Sequence, residues 1–376
     1  MQTRGIREHV LALDGLRGVA AIVVLNNHSV GSIVGGGEFL AAIKQTPLIA
    51  LFNPKVAVEI FFVLSGFVLA GSLMRHTRLA ELPQFYIRRI FRIHPPYVMA
   101  LMFAWCASFA WGPLREGVSS FAVILAKVHI PFSELLGYLL FPGSAGNQLS
   151  IGWTLEIEMI FSLLLPIMFL LARRTHWALL IALCIIPLLI GPYGHRVLKF
   201  GIDFAFGIAL FLERERLSMW LGKIKAPGAL LWFAIWLAVA NTPLFLNWPY
   251  LFEGGSPGSI FLQSVGSAGL VAGTAFIPAI SRVFSTAPCV YLGKISYSIY
   301  LLHFSVVLLL ASISVAGTDL YVLTGAYVIT IPLAGFTYRF VERPAIAAGS
   351  RLCKALARRF GGEVIAARAE EVAPPI

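Results

Sequence analysis

The chain of 376 residues is 58% hydrophobic and only 12% charged, and its mean hydropathy is +0.83. Soluble domains carry about 25% charged residues, so a soluble globule of this composition would expose large apolar patches. The same numbers exclude an intrinsically disordered chain. The net charge of +11 does not indicate nucleic-acid binding, because the basic residues lie in clusters between apolar runs. The composition predicts a polytopic membrane protein without a nucleic-acid partner.

In chain order, the hydropathy pattern predicts ten membrane spans, since a bilayer core needs about 20 mostly apolar residues per helix. They lie near 10–31, 55–74, 95–112, 153–172, 177–192, 197–212, 227–241, 259–281, 290–313 and 319–339. A further apolar stretch, 118–141, is interrupted by charged residues and a proline and is interpreted as an interfacial or re-entrant piece. The expected fold class is an all-α membrane protein with about ten transmembrane helices.

The distribution of basic residues predicts the orientation of these spans. With ten spans and a cytoplasmic N-terminus, 20 Lys and Arg fall in inward segments and four in outward segments, as the positive-inside rule requires. Both termini are therefore expected in the cytoplasm. Residues 1–345 are expected to form the transmembrane domain, and 346–376 a basic cytoplasmic tail that contacts anionic membrane lipids. The predicted location is the inner (plasma) membrane.

The N-terminal segment and the cysteines exclude several other classes. The first apolar run lacks a small-residue cleavage site and is not expected to be a cleaved signal. The four cysteines are scattered without a Cys-x-x-Cys pair, so neither a disulfide framework nor a zinc site is predicted, and no metal cofactor is expected. No glycine-rich phosphate loop and no His-Glu-x-x-His motif occurs, so zinc-hydrolase chemistry is not indicated.

The first predicted span carries charged groups that are costly within a membrane. A charge at mid-helix costs about 2.5–3.5 kcal/mol on insertion scales. Arg17 and His28 are 11 residues apart, which places them on one helix face about 16 Å apart along the axis. Asp14 precedes Arg17 by three residues and can partly neutralise it. The spacing predicts that both side chains line one shielded channel; alternatively, Arg17 reaches the interface and His28 bonds to a neighbouring helix.

This arrangement, within LDGLRGVAAIVVLNNH, resembles the membrane acyltransferase-3 family, which transfers acyl groups from acyl-CoA to extracytoplasmic carbohydrate and related acceptors. Five further stretches resemble that family in the same order: E59-IFFVLSGF, R88-RIFRIHPPY, W153-TLEIEMIFSLLLP, I295-SYSIYLLH and Y338-RFVERP. The resemblance extends over about residues 9–345. Ser162 and His94 depart from it, because each stands where the family commonly has an aromatic residue.

The resemblance implies that His28 is the general base for a hydroxyl group that attacks a thioester. Such proton transfer contributes typically 10²–10⁴ in rate. Either Glu59 or Glu158 is expected to hold the imidazole in one tautomer, and Glu158 is the carboxylate that matches the family motif. Arg17 is expected to meet the pantetheine arm or to polarise the thioester.

The donor implied is acyl-CoA, with acetyl as the expected acyl group. Its phosphates are expected at Arg88, Arg89 and Arg92, because guanidinium groups suit phosphate geometry. Ordinary positive-inside charge bias is the alternative explanation of these arginines.

The remaining candidates are assigned to acceptor binding or to packing. Trp153 could stack on a sugar ring or belong to the interfacial aromatic belt, and Ser65 could contact substrate or serve close helix approach. The spacing of the small residues Gly266, Gly269 and Gly273 indicates close helix packing. His303 and Tyr297 are interpreted as packing or interface residues.

Two functions remain open at this point. The first is an integral-membrane O-acyltransferase that acts on a carbohydrate or glycolipid acceptor, such as lipopolysaccharide or exopolysaccharide. The second is a transporter in which Arg17, His28 and the buried glutamates form a proton or substrate path, since intramembrane ionisable groups fit both functions.

Overall fold

The computed structural model describes residues 2–33, 35–44, 46–75, 82–109, 132–140, 152–189, 198–245, 256–313 and 319–360. Within these ranges the regular elements are helices and no strand occurs, which confirms the all-α class. The helices are α1 Gln2–Gly31, α2 Gly36–Ile43, α3 Pro54–Arg75, α4 Leu82–Ser108, α5 Phe132–Leu140, α6 Gly152–Arg174, α7 Trp177–Leu189, α8 Gly201–Leu212, α9 Arg214–Leu221, α10 Ala226–Phe245, α11 Pro257–Phe276, α12 Pro278–Phe284, α13 Ala287–Ile313, α14 Asp319–Thr337 and α15 Arg343–Phe360. Short 3₁₀ turns cover Pro47–Leu51 and Leu198–Phe200, and a π-helical turn, Tyr338–Glu342, joins α14 to α15.

Six helical segments of the described chain are long and apolar enough to cross a membrane, so the protein is a multi-pass membrane protein. They are Pro54–Met74, Gly152–Arg174, Ala226–Leu244, Pro257–Phe276, Ala287–Ser312 and Asp319–Arg358. Ten spans are predicted from the sequence. Of the others, α1 with 30 residues and α4 with 27 have the length but carry charged residues along it, whereas α7 and α8 have only 13 and 12 residues.

Two predicted features lie partly outside the described residues. Of the stretch 118–141, only α5 is described, and it is helical. The tail from 346 begins as part of α15, which continues directly from the π-helical turn after α14. This helix packs on α4, where Gly349 lies against Phe91 and the Cys353 thiol lies 3.5 Å from the Gln84 carbonyl oxygen.

The glycines of α11 allow α10 to pack at close range, as the small-residue pattern predicts. Gly269 lies beneath the indole of Trp236, and Gly266 lies against the backbone of Ala240, so a Cβ at either position would overlap the partner helix. The Trp232 indole also donates a hydrogen bond of 3.0 Å to the Gly269 carbonyl oxygen. These contacts make α10 and α11 an antiparallel pair.

The helices α3 and α8 form a second close pair that runs parallel. The rings of Phe62 and Phe204 are stacked with centroids 5.3 Å apart, and further along both helices the rings of Phe67 and Phe211 meet edge to face at 5.7 Å. Gly66, the neighbour of Ser65, permits this approach, since a Cβ there would overlap the Phe204 carbonyl oxygen. Ser65 is partly buried beside this crossing.

Candidate active site

The helix α1 reaches the centre of the molecule by direct contact with α13. Gly18 and Gly293 lie at the crossing, where a Cβ on Gly18 would overlap the Gly293 backbone nitrogen. A Cβ on Gly293 would in turn overlap the carbonyl oxygen of Asp14. Only glycine allows backbones to approach so closely, so the sequence Leu-Asp-Gly-Leu-Arg-Gly fixes where α1 meets α13.

Further along both helices, the His28 ring meets the His303 ring. Nδ1 of His28 lies 2.8 Å from Nε2 of His303, and the two ring planes differ by 10°. His303 is completely buried, and its own Nδ1 lies 3.1 Å from the carbonyl oxygen of Ile299. The edge of Phe304 covers the pair, with its ring 5.4 Å from that of His28.

Two asparagines anchor the end of α1 that carries His28. The side-chain amides of Asn26 and Asn27 donate to the carbonyl oxygens of Leu51 and Phe52 at 2.9 and 2.8 Å. The Ser32 hydroxyl donates to the His28 carbonyl oxygen at 2.6 Å. These bonds satisfy polar groups that would otherwise be costly in a membrane and fix the depth of the imidazole.

The other end of the α1 face carries Arg17. Its guanidinium pairs with the Asp14 carboxylate at 3.0 Å, as the spacing of three residues predicts. The Arg17 side chain is 18% exposed, and its charge also interacts with those of Arg92 and Glu158. Arg17 is therefore a member of a larger charged cluster.

The shorter of the two ion pairs described in this cluster joins α4 to α6. The Arg89 guanidinium lies 2.7 Å from a Glu158 carboxylate oxygen, and its Nε and Nη2 donate to the Ser162 hydroxyl at 3.1 and 2.9 Å. Ser162 donates in turn to the Glu158 carbonyl oxygen at 2.6 Å. The small hydroxyl thus fills the position where the family commonly has a larger aromatic residue. Arg89, predicted to bind donor phosphate, is held by protein groups in this structure.

Glu342 of the π-helical turn completes the charged cluster. It is 2% exposed, accepts a hydrogen bond of 3.1 Å from the Ser298 hydroxyl, and interacts electrostatically with Arg92 and Arg17. π-helical turns occur frequently at functional sites. The cluster therefore draws on α1, α4, α6 and the π turn, and it consists of Asp14, Arg17, Arg89, Arg92, Glu158 and Glu342.

The three arginines of the predicted donor site have different surroundings. They lie within helix α4 rather than in a loop, so Arg89 and Arg92 share a face as their spacing requires. Arg88 points away from the cluster and lies against the Cys353 side chain of α15. Arg92 is partly buried and interacts electrostatically with Glu342 and Arg17.

The two glutamates expected to orient His28 have other partners in this structure. Glu158 is paired with Arg89, and Glu59 is buried at the α3–α8 contact, where its charge interacts with Asp203 and Lys55. The ring of His303 is the group at Nδ1 of His28. The interpretation of His303 as a packing residue omitted this bond, because nothing local in the sequence of α13 links it to α1. The signal that could have found it is the equal offset of ten residues from Gly18 to His28 and from Gly293 to His303.

The α1 face between Arg17 and His28 is filled by side chains. Val24, on the same face, is 1% exposed. Ala21 is completely buried and packs against Ile295 and other apolar residues. The direct line along α1 that we expected to be a channel is therefore occupied by buried side chains at these two positions.

Trp153 lies at the start of α6, with its ring 5.6 Å from that of Phe200. It is partly buried against the main apolar core.

Among the described residues, no group of three or more His, Cys, Asp or Glu is arranged to hold a metal ion.

Comparison with known proteins gives the family. The profile of the acyltransferase domain family matches residues 10–339. A Staphylococcus aureus (strain COL) protein, provisionally named an O-acetyltransferase, is 24% identical over 89% of this chain and 57% of its own length.

Two relatives carry names that refer to the cell wall. The peptidoglycan O-acetyltransferase OatA of Listeria monocytogenes (serovar 1/2a, strain EGD-e) is 24% identical, and a Bacillus subtilis (strain 168) protein provisionally given the same activity is 25% identical. Each match covers 91% of this chain and 56% of the relative, so the chain spans little more than half the length of these curated relatives. No solved structure matches. With the family profile covering nearly its whole length, the chain belongs to the membrane acyltransferase-3 family.

Proposed function

We propose that the protein is an O-acetyltransferase that moves an acetyl group from cytosolic acetyl-CoA to a hydroxyl group of a glycan outside the membrane. The observation that carries this proposal is the α1 helix itself. It holds Arg17 within a charged cluster at one level and His28, paired with His303, about 16 Å further along the axis. Family membership supports the reaction class.

In the proposed reaction, Nε2 of His28 takes the proton from the acceptor hydroxyl as its oxygen attacks the thioester carbonyl carbon. The carbon–sulfur bond then breaks, and the CoA thiolate takes the same proton from the His28 imidazolium. Atoms and charge balance without a further reactant. Both chemical steps need only one positioned acid–base group, which typically contributes 10²–10⁴ in rate.

The charged cluster is the proposed donor site. Arg92 and Arg17 interact electrostatically there with each other and with the carboxylates of Asp14, Glu158 and Glu342. Arg89 joins them when phosphate replaces Glu158 as its partner, since a guanidinium binds carboxylate and phosphate oxygens alike. An extended pantetheine arm is comparable in length to the distance from this cluster to His28.

The proposed acceptor is a sugar hydroxyl of a cell-envelope glycan. The names of two relatives, which refer to peptidoglycan O-acetylation, support a glycan acceptor and make peptidoglycan the first to test, ahead of lipopolysaccharide and exopolysaccharide. Trp153 is the aromatic residue proposed to stack on the sugar ring. The proposed location of the enzyme is the inner (plasma) membrane, with the donor site on the cytoplasmic side.

Membrane vesicles given [14C]acetyl-CoA and a panel of envelope glycans test the proposal. We expect label on the glycan with wild-type protein and none with His28→Ala. The exposed His176 provides the matched control, and His176→Ala should label like wild type. Equal labelling by His28→Ala would contradict the assigned base, whereas movement of glycan across the membrane without label would favour the transporter.

A further inference from the structure

We propose that His303 is the positioning residue for His28: it accepts the Nδ1 proton of His28 and so places the lone pair of that imidazole on Nε2. This inference rests on the proposed function of His28 as the base. The role of orienting His28, for which the sequence predicts Glu59 or Glu158, is thereby assigned to the neutral imidazole of His303 on α13.

The hydrogen-bond donors and acceptors around His303 determine this assignment. Its Nδ1 lies 3.1 Å from the Ile299 carbonyl oxygen, which can only accept, so Nδ1 of His303 carries a proton. A neutral imidazole has one donor and one acceptor nitrogen, and Nε2 of His303 is therefore the acceptor. The atom 2.8 Å away, Nδ1 of His28, must supply the proton for that bond. His28 then has its proton on Nδ1 and its lone pair on Nε2.

The surroundings of His303 favour the neutral form on which this accounting depends. The side chain is completely buried, and its neighbours are the aromatic rings of Phe304 and Tyr300, the latter 5.8 Å away by ring centroids. The Tyr300 hydroxyl is bonded to the hydroxyl of Thr154 at 2.9 Å. A charged imidazolium without a carboxylate partner would be costly in such a site.

The pair also has a consequence once His28 takes a proton. The bond from Nδ1 of His28 to Nε2 of His303 then becomes charge-assisted, and such bonds are roughly twice as strong as neutral ones. Part of the stabilisation that a carboxylate would supply comes in this way from His303. No proton needs to leave the pair, because the CoA thiolate takes it back from Nε2.

The arrangement of the helices explains why His303 can serve this purpose. Gly18 and Gly293 hold α1 and α13 in backbone contact, and the helices run parallel. Both histidines lie ten residues beyond their glycine, so they arrive at the same level. The pairing depends on the whole crossing rather than on a local motif.

Three substitutions at one position test the role of His303 in the full-length protein. Gln can place its amide oxygen near the position of Nε2 and accept from His28. Asn can retain the bond to Ile299 but is too short to reach His28, and Phe fills the volume without either bond. We expect kcat to fall about 10²-fold below wild type for His303→Phe and His303→Asn, which lies within the range of general base catalysis. The kcat of His303→Gln should be about tenfold higher than that of these two variants. KM for donor and acceptor should stay within about twofold.

A merely structural role for His303 predicts a different order. It would make His303→Phe the mildest change, with losses that follow the thermal unfolding temperature rather than hydrogen-bonding capacity. That order, or a loss confined to KM, would overturn the inference.

The tautomer can be read directly from 15N chemical shifts of the histidine-labelled protein in lipid nanodiscs. The chain has eight histidines, and the His28 signals are assigned by their absence in His28→Ala. We expect a protonated Nδ1 and an unprotonated Nε2 in wild type, and a shift towards protonated Nε2 in His303→Phe. A wild-type His28 protonated on Nε2 would refute the inference.

These measurements separate the inference from the proposed function. If His28→Ala is inactive but wild-type His28 carries its proton on Nε2, the positioning role of His303 fails while the assignment of the base stands. If the tautomer is as expected but His28→Ala still transfers acetyl groups, the geometry stands and the assigned base is wrong.

Discussion

Gly18 and Gly293 bring two parallel helices into direct backbone contact, and this contact determines that the rings of His28 and His303 meet. Each histidine lies ten residues beyond the glycine of its own helix, or about 15 Å at 1.5 Å per residue. The crossing therefore holds the charged cluster at one end of α1 in a fixed relation to the histidine pair at the other.

Replacement of Gly293 by valine should push α1 away from α13. Overpacking of a close contact typically costs 1–3 kcal/mol, and here the obstruction is backbone, which cannot rotate aside. We expect a lower thermal unfolding temperature and loss of acetyl transfer. Gly37→Val is the matched control, because a Cβ at Gly37 has no heavy atom within 4 Å. Equal stability of the two variants would contradict the close crossing.

Removal of one partner of the Arg89–Glu158 pair should destabilise the protein. Breaking a buried ion pair leaves an uncompensated charge and costs about 3–5 kcal/mol in stability. The cost should be smaller here, because the Arg89 and Glu158 side chains are 11% and 22% exposed to solvent. In detergent, the thermal unfolding temperatures of Arg89→Met and Glu158→Leu should each be lower than that of the double variant that carries both substitutions. A double variant less stable than either single one would show that the two side chains do not act as a pair.

Arg92 and Arg88 should differ in their effect on donor binding. Arg92 faces the charged cluster, whereas Arg88 lies against Cys353 on another helix. A lost charge-assisted hydrogen bond is worth about 1.5–3 kcal/mol, so Arg92→Ala should raise KM for acetyl-CoA at least about tenfold. Arg88→Ala should leave KM nearly unchanged. The opposite order in steady-state kinetics would move the donor site to the α4–α15 contact.

Glu59→Gln should leave acetyl transfer within about threefold of wild type. Glu59 interacts with Asp203 and Lys55 at the α3–α8 contact and is 2% exposed, and glutamine keeps its size and its hydrogen-bonding oxygen. Two neighbouring buried carboxyl groups cannot both ionise without a large cost, so removal of one charge should maintain or raise stability. A stable but inactive Glu59→Gln protein would return Glu59 to the role of orienting His28 that the sequence predicts.

Local sequence patterns were sufficient to predict the all-α class and several features within single helices, but not the partners of those helices. The 11-residue spacing of Arg17 and His28, the shared face of Arg89 and Arg92, and the packing glycines of α11 all follow from helix periodicity within one segment. The bond between His28 and His303 joins residues 275 positions apart, so it depends on which helices cross and at what level. Glu158 likewise matches a local motif, but its partner Arg89 lies 69 positions earlier on another helix.

Transfer between two compartments is the most direct test of the central claim, that α1 links a donor site on one side of the membrane to a base that serves the other. Sealed proteoliposomes would hold [14C]acetyl-CoA inside and a soluble glycan fragment outside. We predict labelled glycan outside with wild-type protein and none with His28→Ala of equal insertion. Label that forms only when donor and acceptor share a compartment, or that persists in His28→Ala, would contradict the account.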